Sequence, residues 1–107
     1  MPAAPRPTSF KTTIYEQIAR IGQATASASR LELLDLLSQG PRTVEALARQ
    51  TGHSVATTSH HLQVLRRARL VEGEKAGLYV TYRVADPGVE EFFLSVRGLA
   101  ESRLAEV

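Results

Sequence analysis

The 107-residue sequence has no cysteine and no tryptophan. Lacking cysteine, it offers no disulfide, thiolate metal site, iron–sulfur cluster, cysteine nucleophile or thiol redox switch. Long hydrophobic runs are missing too: no apolar stretch approaches the ~20 residues of a membrane-spanning helix. The opening MPAAPRPTSFK has neither the apolar segment nor the cleavage pattern of a secretory signal. An excess of one charge is also lacking, since 13 Lys+Arg against 11 Asp+Glu leave a net charge of only +2. Any attraction to a polyanion must therefore come from where the charges sit. No nucleophile–base pair, phosphate-cradling glycine loop or carboxylate dyad stands out, so the chain is not expected to be an enzyme. The length predicts one soluble, cytoplasmic domain, residues 9–107, preceded by a disordered proline-rich tail over residues 1–8 that carries Pro2, Pro5 and Pro7.

Charge is concentrated rather than scarce. Residues 42–71 carry Arg42, Arg49, Arg66, Arg67 and Arg69 against Glu45 alone, whereas residues 72–107 are net acidic. Almost all of the cations are arginine, the side chain suited to phosphate and base recognition.

Periodicity gives the order helix–helix–helix–helix–strand–strand–helix. Phe10, Ile14, Ile18 and Ile21 recur at helical spacing after Ser9. Ser27 or Ser29 caps a second helix, whose Leu31, Leu33, Leu34, Leu36 and Leu37 cover most of its circumference and place it at the domain centre. Gly40-Pro41 ends it, Thr43 opens a short third helix, and Gly52 closes that one. Ser54 caps a fourth helix running to about Ala68 or Arg69, with Thr58, Leu62 and Leu65 facing inward. Residues 70–75 and 78–84 read as strands joined through Ala76-Gly77, with Leu78, Val80, Tyr82 and Val84 alternating as the inner face. Asp86-Pro87 then starts a final helix rich in apolar positions. Two helices joined by a short glycine-containing turn and followed by a hairpin make a winged helix-turn-helix, mainly α with a β-hairpin wing.

The stretch from Thr43 to Ser54, the run Thr58-Ser-His-His-Leu-Gln-Val-Leu-Arg-Arg-Ala-Arg-Leu-Val, and Gly77-Leu-Tyr-Val-Thr-Tyr-Arg-Val resemble the helix-turn-helix and wing of ArsR-type (ArsR/SmtB) transcriptional regulators. Tyr15–Gly22 and Ser29–Leu37 are similar to that family's first two helices, so the likeness spans roughly residues 12–107. It is greatest to the branch in which this domain is fused to a rhodanese domain. The resemblance implies a homodimeric repressor that binds a palindromic operator on double-stranded DNA. On that reading Ser54, Val55, Ala56, Thr57, Ser59, His60, His61 and Gln63 meet the major groove. Gln63 pairs with an adenine edge, and Val55 and Ala56 meet thymine methyls. Arg66 and Arg67, with Lys75, Arg83 and Arg42, supply backbone contacts. Two departures from the family pattern stand out. Glu72 and Glu74 make the wing acidic, and His53 and Thr58 replace an apolar pair at the start of the fourth helix.

The first and last helices carry more apolar surface than one small core uses. Phe10, Ile14, Ile18, Phe92, Phe93, Val96, Leu99 and Leu104 are therefore expected at a dimer interface. The family's cysteine-based and Asp/His-based sensor sites are absent: residues 87–107 contain no histidine. A nickel-like divalent metal effector, bound by His53, His60 or His61 with a partner subunit, stays open beside constitutive binding, a small organic ligand, or control by a regulatory partner protein. The alternative function is a winged-helix protein-interaction module working with a separate sensor protein.

Overall fold

The computed structural model describes residues 9–105. The proline-rich tail expected over residues 1–8 lies outside the described residues. Helices α1 (Phe10–Thr25), α2 (Ala28–Gln39), α3 (Val44–Thr51), α4 (Val55–Arg67) and α5 (Pro87–Ala105) surround a small antiparallel sheet of β1 (Arg42–Thr43), β2 (Val71–Ala76) and β3 (Tyr79–Val84), ordered β1-β3-β2. No helix among the described residues is long and apolar enough to cross a membrane.

Side-chain caps set the helix starts. The hydroxyls of Ser9, Ser27, Thr43 and Ser54 accept from the backbone N–H of Thr12, Arg30, Ala46 and Thr57, satisfying donors that the first turn leaves unpaired. Asp86 does the same for α5 by accepting from Gly88 N–H at 2.8 Å. The tight turn between α3 and α4 needs Gly52, which sits at φ +75° in the left-handed region.

The end of α4 is unusual. Leu70 N–H donates to Leu65 O at 3.0 Å and Arg69 N–H to Arg66 O at 2.9 Å, the paired bonds of a Schellman motif. Buried Leu65 and Leu70 provide its apolar contact. The left-handed residue at its pivot is Arg69, at φ +62°, where glycine is usual. A side chain there costs roughly 1 kcal/mol.

The core is built on α2, as its leucine-rich pattern predicts: Leu33, Leu34 and Leu37 pack with Leu47 of α3, Leu62 and Leu65 of α4, and Val89 and Phe93 of α5. Each fully buried leucine contributes roughly 2 kcal/mol of apolar transfer. The outer halves of two helices stand apart from this core. Every residue from Phe10 to Arg20, and again from Leu94 to Ala105, is exposed. The Cα radius of gyration is accordingly 16.8 Å, against the ~13 Å of a compact domain this size.

Three expectations need correction. Strand β1 has no counterpart in the sequence periodicity; Arg42 pairs with Tyr82 and Thr43 with Thr81, which turns the hairpin into a three-stranded sheet. Leu78 belongs to the turn with Gly77, not to the inner face of the second strand, and is 93% exposed. Phe93 is 7% exposed and completes the protomer's own core, so it presents no free face for a dimer contact, while Phe92 is half-buried.

Candidate nucleic-acid interface

Helix α4 buries Thr58, Leu62 and Leu65. At 100° per residue, the positions opposite this stripe are Ala56, His60, Gln63 and Arg67. Ala56, His60 and Arg67 are exposed, flanked by exposed Ser54, Val55, Thr57 and Arg66. The side chains of Arg66, Arg67 and Arg69 make no hydrogen bond or ion pair among the described residues. The face thus offers methyl groups and a hydroxyl at its start, an imidazole in the middle and unpaired guanidiniums at its end.

Other residues expected at this interface are engaged within the protein. Gln63 is half-buried, and its Nε2 donates to Tyr82 Oη at 3.3 Å, tying this face of α4 to the sheet. Tyr82 can reach across because Gly73 opposes it; a Cβ at Gly73 would sit 3.0 Å from the Tyr82 ring. Arg42 donates from Nε to Leu36 O at 3.1 Å, finishing the C-terminal end of α2. Arg83 divides its guanidinium between Glu72 and Glu74, each at 3.3 Å. The wing therefore neutralises its own arginine, and Lys75 is its one exposed cation without such a partner among the described residues. Ser59 is half-buried beside His60.

The three histidines lie close together, and two of them, His53 and His61, meet residues of α2. The His61 ring lies 5.8 Å from that of His60 and 6.2 Å from that of His53. Arg30 Nη1 lies 3.4 Å from His61 Nδ1, and Ser29 Oγ 3.2 Å from His53 Nε2. A guanidinium only donates, so His61 Nδ1 is the acceptor and the ring is neutral with its proton on Nε2. Burial first, then the charge of Arg30 and of the two other histidines, lowers the His61 pKa below its ordinary value. His61 Nδ1 thus faces a cation, and within one chain no group of three or more His, Asp or Glu side chains among the described residues is placed to hold an ion.

Arg30 is the residue that sequence reasoning missed. Besides meeting His61, it donates from Nε to Ala24 O at 2.6 Å and from Nη2 to Gln23 O at 3.2 Å. One guanidinium thus closes the end of α1, belongs to α2 and braces α4. A lone arginine near the start of a leucine-rich helix was its only signal.

A buried-core helix-turn-helix with an antiparallel wing and a partly unpaired, one-sided basic face defines the class: a winged helix-turn-helix domain. A family model for the bacterial regulatory protein arsR family matches residues 27–73. The HTH-type transcriptional regulator Rv0324 of Mycobacterium tuberculosis is 42% identical over 97 residues, covering 91% of this chain and 43% of that protein. The HTH-type transcriptional regulator NmtR of the same organism is 40% identical over 75 residues, 70% of this chain and 62% of its own length. Among solved structures, the homodimeric winged helix-turn-helix DNA-binding domain of Mb0332 from Mycobacterium bovis, a possible ArsR-family transcriptional regulator, superposes with a TM-score of 0.86 at 39% identity, covering 94% of both chains. The chain belongs to the arsR family of bacterial regulatory proteins. It spans less than two thirds of the length of these two curated relatives.

Proposed function

We propose that this chain is a sequence-specific DNA-binding repressor that binds a palindromic operator as a homodimer, inserting α4 in the major groove. The observation that carries the reading is the exposed row Ala56, His60 and Arg67 on α4, opposite the core, with no competing partner for Arg67 among the described residues. A helix of this width fits the major groove, where methyl groups meet thymine and an imidazole meets base edges. Arg66 and Arg67 are assigned to phosphates, and occupancy of the operator blocks transcription. The exposed apolar residues Phe10, Ile14 and Ile18 of α1 with Val96, Leu99 and Leu104 of α5 are assigned to the contact with a second copy. The homodimeric relative supports that choice of occupant. A two-fold pair presents its recognition helices about 34 Å apart, one turn of duplex.

Selection of bound DNA from a random pool tests this. The expected product is an inverted repeat with half-sites one helical turn apart. His60→Ala should relax its sequence and Arg67→Ala should weaken binding to all sequences alike. Recovery of no enriched sequence, or enrichment unchanged by His60→Ala, overturns the proposal.

A further inference from the structure

Between the C-terminal half of α1 and α4 lies a cleft of about 350 Å³, lined by Arg20, Gln23, Ala24, Val64, Arg67 and Ala68. Its floor is small and apolar: Ala24 is buried, and Val64 and Ala68 are half-buried. Its rim is polar, with exposed Arg20 and Gln23 on one side and exposed Arg67 on the other. No carboxylate lines it, and neither guanidinium has an ion-pair partner among the described residues. Two cations bordering one hollow repel each other until an anion sits between them.

The floor sets what kind of anion. Inorganic phosphate gains nothing from alanine and valine side chains, whereas a short apolar body does. A planar carboxylate head matches guanidinium geometry. The volume lies at the small end of ligand pockets. The α1 wall is held in place beforehand, because the carbonyls of Gln23 and Ala24 both accept from Arg30. Arg20 also lies ~80–160° around α1 from Phe10, Ile14 and Ile18, so the cleft is turned away from the centre of the apolar stripe assigned to the dimer.

We propose that this cleft is an effector site for a small amphipathic monocarboxylate, aliphatic or aromatic. The carboxylate bridges Arg20 and Arg67 and the apolar body rests on Ala24, Val64 and Ala68. The regulatory part rests on the DNA-binding reading above: a ligand that holds Arg67 takes from DNA one of its phosphate contacts.

Calorimetric titration of the DNA-free protein with benzoate, hexanoate and inorganic phosphate, at matched ionic strength, reads the site directly. Expected is saturable binding of one carboxylate per protomer and none of phosphate, with methyl NMR shifts at Ala24, Val64 and Ala68. Arg20→Gln should weaken carboxylate binding at least ~10-fold, the loss of one charge-assisted contact, and leave ligand-free DNA affinity unchanged. Saturating benzoate should lower the affinity of the wild-type protein for its selected DNA several-fold, and not that of Arg20→Gln. Absence of saturation with both acids, equal binding of phosphate, or full binding by Arg20→Gln overturns the site. Binding that leaves DNA affinity unchanged overturns the effector role. Failure to bind any DNA sinks the earlier reading alone, since the titrations contain no DNA.

Discussion

Thr58 is the polar side chain held in the core, 1% exposed, and its hydroxyl has no hydrogen-bond partner among the described residues. An unmet buried hydroxyl costs more than a methyl of the same shape. Thr58→Val should therefore raise stability by about 1 kcal/mol, read as a higher denaturant midpoint with unchanged slope; a lower midpoint refutes this account of the site. Arg30 gives the opposite case, since three of its nitrogens lie within hydrogen-bond distance of three separate groups. Arg30→Met keeps the apolar stem and should cost about 2 kcal/mol by chemical denaturation. The same change removes one of the causes that lower the His61 pKa, so the His61 titration followed by NMR should move upward. The folded state disfavours the His61 imidazolium, so the unfolded chain takes up the proton first. Stability is then full above about pH 6.5 and falls as pH drops from there to the lowered folded pKa. A thermal-midpoint series across that window should show a shallower decline in His61→Gln than in the wild-type protein.

At the scale of elements, the wing separates charge present from charge available. The sequence places Arg83 among the phosphate contacts, yet strand register sets Glu72 directly opposite it, and Glu74 holds its other nitrogen. These pairs are exposed and add little stability; their effect is on the field the wing presents. Glu72→Gln with Glu74→Gln should release the guanidinium, strengthen non-specific DNA binding and steepen its salt dependence by about one phosphate contact. Unchanged salt dependence in filter binding would show that the wing stays away from the backbone. The helices were legible because their caps and leucine spacing are local signals. Strand β1 was not, because two residues carry no period and exist as a strand only through pairing with β3. Leu78 misled for a related reason: alternation fixes which residues share a face but not where the turn begins.

At the scale of the whole molecule, the exposure of Ala56, His60 and Arg67 opposite the buried stripe of α4 was readable from sequence, whereas the partners that occupy Gln63, His61, Arg42 and Arg83 were not. Each is taken by a residue distant in the chain or by a backbone carbonyl, which periodicity cannot show. The same limit applies to Phe93, whose apolar character left core and interface indistinguishable. Leu99, 56% exposed on the projecting half of α5, tests the assembly. Leu99→Glu should shift sedimentation from dimer to monomer and weaken operator binding at least ~10-fold through lost pairing of half-sites, while the helical circular dichroism of the core persists. A dimer that survives this substitution removes α5 from the interface. The two uncovered helix halves also bear on how stability is measured. On the proposed pairing, the fold is completed by mass action, so the thermal midpoint becomes a function of dilution: each tenfold drop in concentration should lower it. Amide exchange should be fast from Lys11 to Arg20 in dilute protein and slow in concentrated protein, while the α2 core exchanges alike in both.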